Sequence, residues 1–163
     1  MLRIFNSIVD SLVRFAQKRP YFHLENYMNR YWVLKPASWH PFAARIHEIL
    51  RSDSDRHLHD HPWSYITVVL RGGYWEHTPD GNRRWYGVGR VLYRPYTSIH
   101  RLELPEGQTA TTLFITGPYR QGWGFHTENG KVPWREYLGE AASGAEAATL
   151  AHYPGRRKRE RQQ

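Results

Sequence analysis

Turn-forming residues divide most of this chain into short segments, and this pattern constrains its fold more than any other feature. Apolar and aromatic runs such as YITVVL and TATTLFI are separated by turn signals, among them Pro79-Asp80-Gly81, Pro105-Glu106-Gly107 and Asn129-Gly130. Short strands that alternate with turns roughly every eight to twelve residues are typical of a β-sandwich or a β-barrel. No internal repeat is visible, so the sequence predicts an all-β fold with a single barrel.

The first twenty residues follow a different period. Apolar side chains recur there at helical spacing until Pro20 ends the pattern: Leu2, Phe5, Ile8, Val9, Leu12, Val13 and Phe15. We interpret this segment as an amphipathic helix that packs on its own barrel or on a second subunit, with a membrane surface as the weaker alternative. Polar residues interrupt any signal-peptide core, and no apolar run approaches the roughly 20 residues of a membrane span. These features favour a cytoplasmic protein.

Composition limits the chemistry. The chain has no cysteine, so disulfides and thiolate ligands are excluded and a metal would need histidine, carboxylate, tyrosine or water. The net charge of +8 is a weak argument for nucleic-acid binding, because much of the basic charge lies in the C-terminal run GRRKRERQQ: Arg156, Arg157, Lys158, Arg159 and Arg161. Such a run is typical of a disordered, solvated tail, with a weak phosphate-binding arm as the alternative.

Three histidines occupy alternate positions in the segment RHLHDHPWSY: His57, His59 and His61. Alternate residues of a strand face the same side, with Cα atoms about 6.5–7 Å apart, so two such imidazoles can bind one ion. The same inward face would continue through Trp63, Tyr65, Thr67 and Val69. Pro62 predicts an edge strand or a bulge at this point. A metal site, a hydrogen-bonded histidine ladder and chance among ten histidines all remain open here.

Two spacings in this region resemble the motifs of the cupin superfamily. The first motif, Gly-x5-His-x-His followed by a glutamate and later a glycine, is matched by His59-Asp60-His61, with Tyr65 and then Gly72 downstream. The second motif, Gly-x5-Pro-x-Gly-x2-His, is matched by Gly89, Pro95 and His100. The segments LHDHPW, LRGGYWEH and GPYRQGWGFHTENGKVPWREYL are similar to those of small single-domain cupins from bacteria and phages. The resemblance covers roughly residues 40 to 137.

The resemblance implies a jelly-roll barrel with a metal site formed by His59, His61 and His100. The chain departs from the motifs twice, since Tyr65 replaces the usual glutamate ligand and Thr97 replaces a glycine. The expected site is therefore a three-histidine one, with Tyr65 as a fourth ligand, a hydrogen-bond donor or a wall. The alternative is a barrel that has lost its metal and kept hydrogen-bonded histidines. Imidazole ligands with open positions suit several divalent ions; Fe(II) is the first candidate, and Zn, Ni, Cu or Mn are alternatives.

Other polar residues near the motifs have less specific signals. Glu76 lies on the following strand and could act as a base or orient an imidazole, so Tyr65 and Glu76 are the candidate catalytic residues. His57 is expected at the rim and His47 in a structural role. Three arginines could hold an anionic substrate, although strand arginines usually cover a barrel exterior: Arg45, Arg71 and Arg94.

The sequence thus predicts three parts: an N-terminal helix over residues 1–20, a cupin barrel domain over 21–140, and a flexible basic tail over 141–163. The leading function is a metal-dependent, oxygenase-like enzyme that acts on a small polar molecule inside the barrel. The alternatives are a metal-free, sugar-epimerase-like enzyme, a non-catalytic module that binds or sequesters a small molecule, and a structural protein that assembles through its helix and barrel edge. The resemblance also implies a homodimer, whose contact would suit four residues of the first segment: Leu2, Phe5, Leu12 and Phe15.

Overall fold

The computed structural model describes residues 2–21, 23–24, 26–53 and 57–138. Helix α1 (Leu2–Gln17) comes first. The strands are β1 (Met28–Leu34), β2 (Ala43–Ile49), β3 (Leu58–His59), β4 (Tyr65–Arg71), β5 (Gly73–His77), β6 (Arg83–Gly87), β7 (Val91–Arg94), β8 (Arg101–Glu103), β9 (Ala110–Thr116), β10 (Gly124–Thr127) and β11 (Gly130–Pro133). A short helix, α2 (Trp134–Leu138), ends the described region. The basic run at residues 156–161 lies outside it.

Antiparallel strands build two layers. The larger sheet has the order β1-β2-β9-β4-β7, and the other layer consists of two three-stranded sheets, β11-β10-β3 and β6-β5-β8. A bridge joins these smaller sheets, since the His59 N–H donates to the His100 carbonyl at 2.8 Å and the His100 N–H donates to the His59 carbonyl at 3.0 Å. The predicted all-β jelly-roll is therefore confirmed.

Strand parity separates the barrel interior from its exterior. Along β4 the side chains of Tyr65, Thr67 and Val69 are buried, whereas Ile66 is exposed. The predicted inward face is thus correct. The sequence predicted an edge strand or a bulge at Pro62, and this was wrong. Pro62 lies in the link between β3 and β4, where its lack of an N–H removes no hydrogen bond from a sheet.

Helix α1 packs on the outer face of the larger sheet. Val9, Val13 and Ala16 form a cluster with Ile46 of β2 and Leu70 of β4. Full burial of a valine-sized side chain contributes about 1.5–3 kcal/mol, so this contact is enough to hold the helix on its own barrel. Phe5 and Leu12 also pack there, but Ile4, Ile8 and Phe15 remain 67%, 63% and 45% exposed because the contact covers only part of the apolar arc. No described helix has the length and apolar character needed to cross a membrane.

The turn glycines have conformations that other residues rarely adopt. Gly81 and Gly130 have φ angles of 77° and 103°, and they form the predicted hairpin turns β5–β6 and β10–β11. At Gly72, where φ is 64°, a Cβ would lie 2.1 Å from the Thr109 carbonyl oxygen. Only glycine fits there, which gives a physical reason for the glycine in the first motif.

Candidate metal centre

The three histidines of the two motifs meet inside the barrel. His59 lies on β3, His61 follows it two residues later, and His100 directly precedes β8. One ligand atom from each ring can be chosen so that all three lie within 4.8 Å of one another, and the Nε2 atoms of His61 and His100 are 2.9 Å apart. The His59–His100 backbone bridge brings the two motifs together. Three convergent imidazole nitrogens form a donor set that can hold one divalent metal ion.

Burial keeps the imidazoles of His59 and His61 in the form that binds metals. Desolvation lowers the pKa of His59 to about 4, although the nearby Asp53 acts in the opposite direction. Desolvation, together with the neighbouring His100 and His59, lowers the pKa of His61 well below its usual value. Both rings are therefore neutral at pH 7, and neutral imidazole is the ligand form.

A buried carboxylate orients the third ring. The Glu76 side chain is 3% exposed, and its Oε1 lies 2.9 Å from the Nδ1 atom of His100. Arg94 contacts the same carboxylate through Nε, at 3.2 Å from Oε1, and through Nη2 at Oε2. Desolvation alone would raise the pKa of Glu76, but hydrogen bonds from His100 and Arg94 outweigh it and lower that pKa. Glu76 is therefore ionised and holds the His100 Nδ1, which leaves Nε2 directed to the other histidines.

Tyr65 closes the group on one side. Its hydroxyl lies 3.1 Å from the Nε2 atom of His100, and its ring packs against Phe114 with centroids 4.8 Å apart. Burial, reinforced by the charge of Glu76, raises the pKa of Tyr65 well above its usual value. The side chain is therefore a neutral phenol that can donate a hydrogen bond into the site.

Comparison with known proteins identifies the fold. No protein-family model matches the chain, and no curated protein is significantly similar to it. The polyketide cyclase RemF from Streptomyces resistomycificus aligns with a TM-score of 0.55 and 18% identity, over 78% of this chain and 92% of that one. A cupin 2 conserved barrel domain protein from Rhodopseudomonas palustris aligns with a TM-score of 0.51 and 14% identity, over 69% and 78% of the two chains. The chain has the cupin fold.

A third structure agrees: a conserved protein with a double-stranded β-helix domain from Klebsiella pneumoniae, with a TM-score of 0.50 and 14% identity, covering 72% of this chain and 92% of that one. Identities this low establish the fold alone, so the chemistry of this cupin barrel has to be argued from its site.

Other residues singled out in the sequence lie outside the three-histidine group. His57 is at the rim, where its Nδ1 is 2.7 Å from the Tyr137 hydroxyl. His47 faces the interior of the cupin barrel and stacks on Phe114 with centroids 4.7 Å apart.

The expectation that strand arginines cover the exterior is wrong for two of the three. Arg45 is 1% exposed in the interior, where its guanidinium contacts aromatic rings and Nη2 is 3.2 Å from Thr116 Oγ1. Arg94 faces inward to Glu76, as described above. Arg71 is on the exterior and forms an ion pair with Asp10 of helix α1.

Two aspartates near the three histidines were missed by the sequence analysis. Asp53 Oδ2 lies 3.9 Å from the Nδ1 atom of His59 and accepts a 2.6 Å hydrogen bond from the Leu102 N–H. Asp60, which is 3% exposed, accepts a 2.8 Å hydrogen bond from the Gly124 N–H. Asp60 had a signal, since it lies between His59 and His61 and must face the opposite side of the chain. The sequence carried no such signal for Asp53, because its position beside His59 depends on a hydrogen bond to strand β8, which lies far away in the chain.

Proposed function

We propose that this cupin is a metal-dependent enzyme that acts on a small polar molecule at the three-histidine group. The observation that carries the proposal is the convergence of ring nitrogens from His59, His61 and His100 within 4.8 Å. Two of the three rings also have a carboxylate on their Nδ1 side, Asp53 for His59 and Glu76 for His100. This support is typical of histidines that bind a metal.

Fe(II) is the first candidate for the ion, with Zn, Ni or Mn as alternatives, because three imidazoles leave positions for substrate and suit several divalent ions. When bound, a redox-active ion would supply oxygenase chemistry, and a non-redox ion would act as a Lewis acid on a carbonyl or hydroxyl group.

The residues of the chain have separate roles in this proposal. Glu76 has both oxygens engaged by His100 and Arg94, so it serves as the group that positions His100 and is a poor candidate for a base. Tyr65 supplies a hydrogen-bond donor beside the ligands. Aromatic rings wall the site, with Trp63 and Phe114 next to His61 and Trp123 next to His59. Such walls exclude water from a small-molecule site.

A second candidate is metal-free acid–base catalysis, as in a sugar-epimerase-like enzyme. The buried His100–Glu76 pair beside Tyr65 favours it, because a histidine activated by a carboxylate and a neutral tyrosine form an acid–base pair. However, the Tyr65 hydroxyl is already within hydrogen-bond distance of the same imidazole. A substrate or a metal ion could reach that nitrogen only if this contact opened. The metal-dependent proposal ranks first because acid–base catalysis by His100 and Tyr65 leaves the convergence of His59 and His61 on the same point unexplained.

The experiment that separates the two is elemental analysis of the purified protein beside His59→Ala, His100→Ala and a control, His77→Asn. His77 is a matched control because it is a partly exposed histidine that pairs with Glu103 away from the group. We expect near-stoichiometric metal in the wild type and in the control, and loss of it in both alanine variants. Absence of metal from the wild type after reconstitution with Fe(II), Zn, Ni and Mn would reject the metal-dependent proposal and favour the acid–base or binding-module alternatives.

A further inference from the structure

A polar cavity that none of the three histidines lines includes Glu76 in its wall. Its volume is about 460 Å³, and it opens where β6 and β7, the edge strands of two different sheets, approach each other. We call it the seam cavity. Its lining combines charged and hydroxyl groups that bear on the argument: Glu76, Asp80, Arg84, Tyr86, Arg94 and Ser98. The volume falls within the range of roughly 300–1,000 Å³ that is usual for small-molecule sites.

The two carboxylates of the seam cavity are already occupied by partners in the protein. Glu76 is held by Arg94 and His100. Asp80 accepts hydrogen bonds from the Thr78 hydroxyl and from the backbone and side-chain amides of Asn82, all within its own hairpin turn. The charge of Glu76 is thus balanced by Arg94, whereas the partners of Asp80 are neutral groups that leave its charge in place.

Three of the hydrogen-bond donors that line the seam cavity can still donate to a ligand. Within the part of the chain that the structure describes, the Arg84 guanidinium has no ion pair or hydrogen bond and the Ser98 hydroxyl has no partner. The Tyr86 hydroxyl lies 3.2 Å from Arg94 Nη2 and accepts from it, which leaves its own proton to donate. Arg84 stands directly opposite Glu76 in the β5–β6 ladder, so its position at the cavity is set by the sheet.

We propose that the seam cavity binds a small oxyanion, the phosphate or carboxylate group of a ligand, through Arg84, Ser98 and Tyr86. A guanidinium and two hydroxyls provide several donors for the oxygens of one anionic group, and hydrogen bonds to ionised groups are about twice as strong as neutral ones. The positive charge of Arg94 is balanced by Glu76. Arg84 is therefore the cation that binds the anion, and the charge of Asp80 in the same lining limits the affinity.

The proposal requires no bound metal, because Arg84 and Ser98 form no hydrogen bond with any of the three histidines, although Tyr86 and Arg94 connect the cavity to His100 through Glu76. The test can therefore be done on chelator-treated protein, where failure of the metal proposal has no effect on it. Isothermal titration with inorganic phosphate and, separately, with acetate would distinguish the two sources of the oxyanion. Phosphate binding alone identifies a phosphate site, and acetate binding alone identifies a carboxylate site.

Arg84→Gln is the decisive variant and Arg90→Gln its matched control. Arg90 is an exposed arginine between β6 and β7 that does not line the cavity, so both variants lose the same charge. We expect Arg84→Gln to weaken binding about tenfold or more, Ser98→Ala to weaken it by a smaller factor, and Arg90→Gln to leave it unchanged. Equal weakening in Arg84→Gln and Arg90→Gln would reveal only nonspecific attraction to a basic protein, and it would overturn the proposal. So would the absence of any binding in the wild type.

Discussion

The interior of the barrel contains two groups of buried polar side chains, and only one has the features of a metal site. In the three-histidine group the ring nitrogens converge, and the carboxylates of Asp53 and Glu76 lie beside the Nδ1 atoms of His59 and His100. On the other side of Phe114, His47 stacks on that ring and its Nε2 is buried with no hydrogen-bond partner among the described residues. Its neighbour Arg45 is surrounded by aromatic rings. A buried imidazole is therefore a weak sign of function until convergence and a carboxylate accompany it.

The largest expected change in the free energy of unfolding comes from Glu76, in the three-histidine group. Replacing it by alanine removes the carboxylate that balances Arg94 and orients His100, and breaking a buried ion pair costs about 3–5 kcal/mol. We expect Glu76→Ala to lower the free energy of unfolding by about that amount and to lose metal. Urea unfolding beside Glu103→Ala measures this difference, because Glu103 forms partly exposed pairs with His77 and Arg83 that are worth about 1 kcal/mol or less. Equal losses in the two variants would show that Glu76 has no special structural role.

His47 predicts a pH dependence of stability. Desolvation, followed by the nearby charges of Arg45 and Arg30, lowers its pKa in the folded state well below the usual 6.5. As the pH falls below about 6.5 the unfolded chain binds a proton that folded His47 does not, so stability decreases by up to about 1.4 kcal/mol per pH unit for each such histidine. His59 and His61 act in the same direction in metal-free protein.

His47→Leu should make this loss of stability shallower by about the contribution of one histidine, while leaving metal content unchanged. Urea unfolding of chelator-treated protein at pH 7, 6 and 5 measures the slope. An identical slope in His47→Leu and wild type would mean that His47 binds protons equally in the folded and unfolded states and would contradict its lowered pKa, and a loss of metal would place His47 in the metal centre.

Tyr65→Phe is expected to have the smallest effect on stability. It removes one hydroxyl that lies 3.1 Å from His100 Nε2, and a hydrogen bond of this kind contributes about 0.5–1.5 kcal/mol. If Tyr65 is a donor beside the site, the variant keeps its metal and loses only this amount. Metal content and urea unfolding check both parts, and loss of the metal with little change in stability would instead make Tyr65 a ligand.

Local features of the sequence were sufficient to predict much of this fold. The turn residues and alternating runs predicted the strands, and the helical spacing before Pro20 predicted α1. The inward parity of β4 followed from the alternation of side chains along a strand. The alternation of side chains along a strand placed His59 and His61 on one side, and the resemblance to the second cupin motif added His100 to the group.

The sequence by itself thus determined the order of the elements, the turns and the inward face, because these depend on neighbours a few residues apart, whereas the grouping of His100 with His59 and His61 came from the resemblance to the cupin motifs. The tertiary structure alone decided that Asp53 and Glu76 support His59 and His100, that Arg94 balances Glu76, and that Arg45 lies in the interior. Those contacts depend on the register between strands that are far apart in the chain, such as β5 with β8. No periodicity within either strand encodes that register.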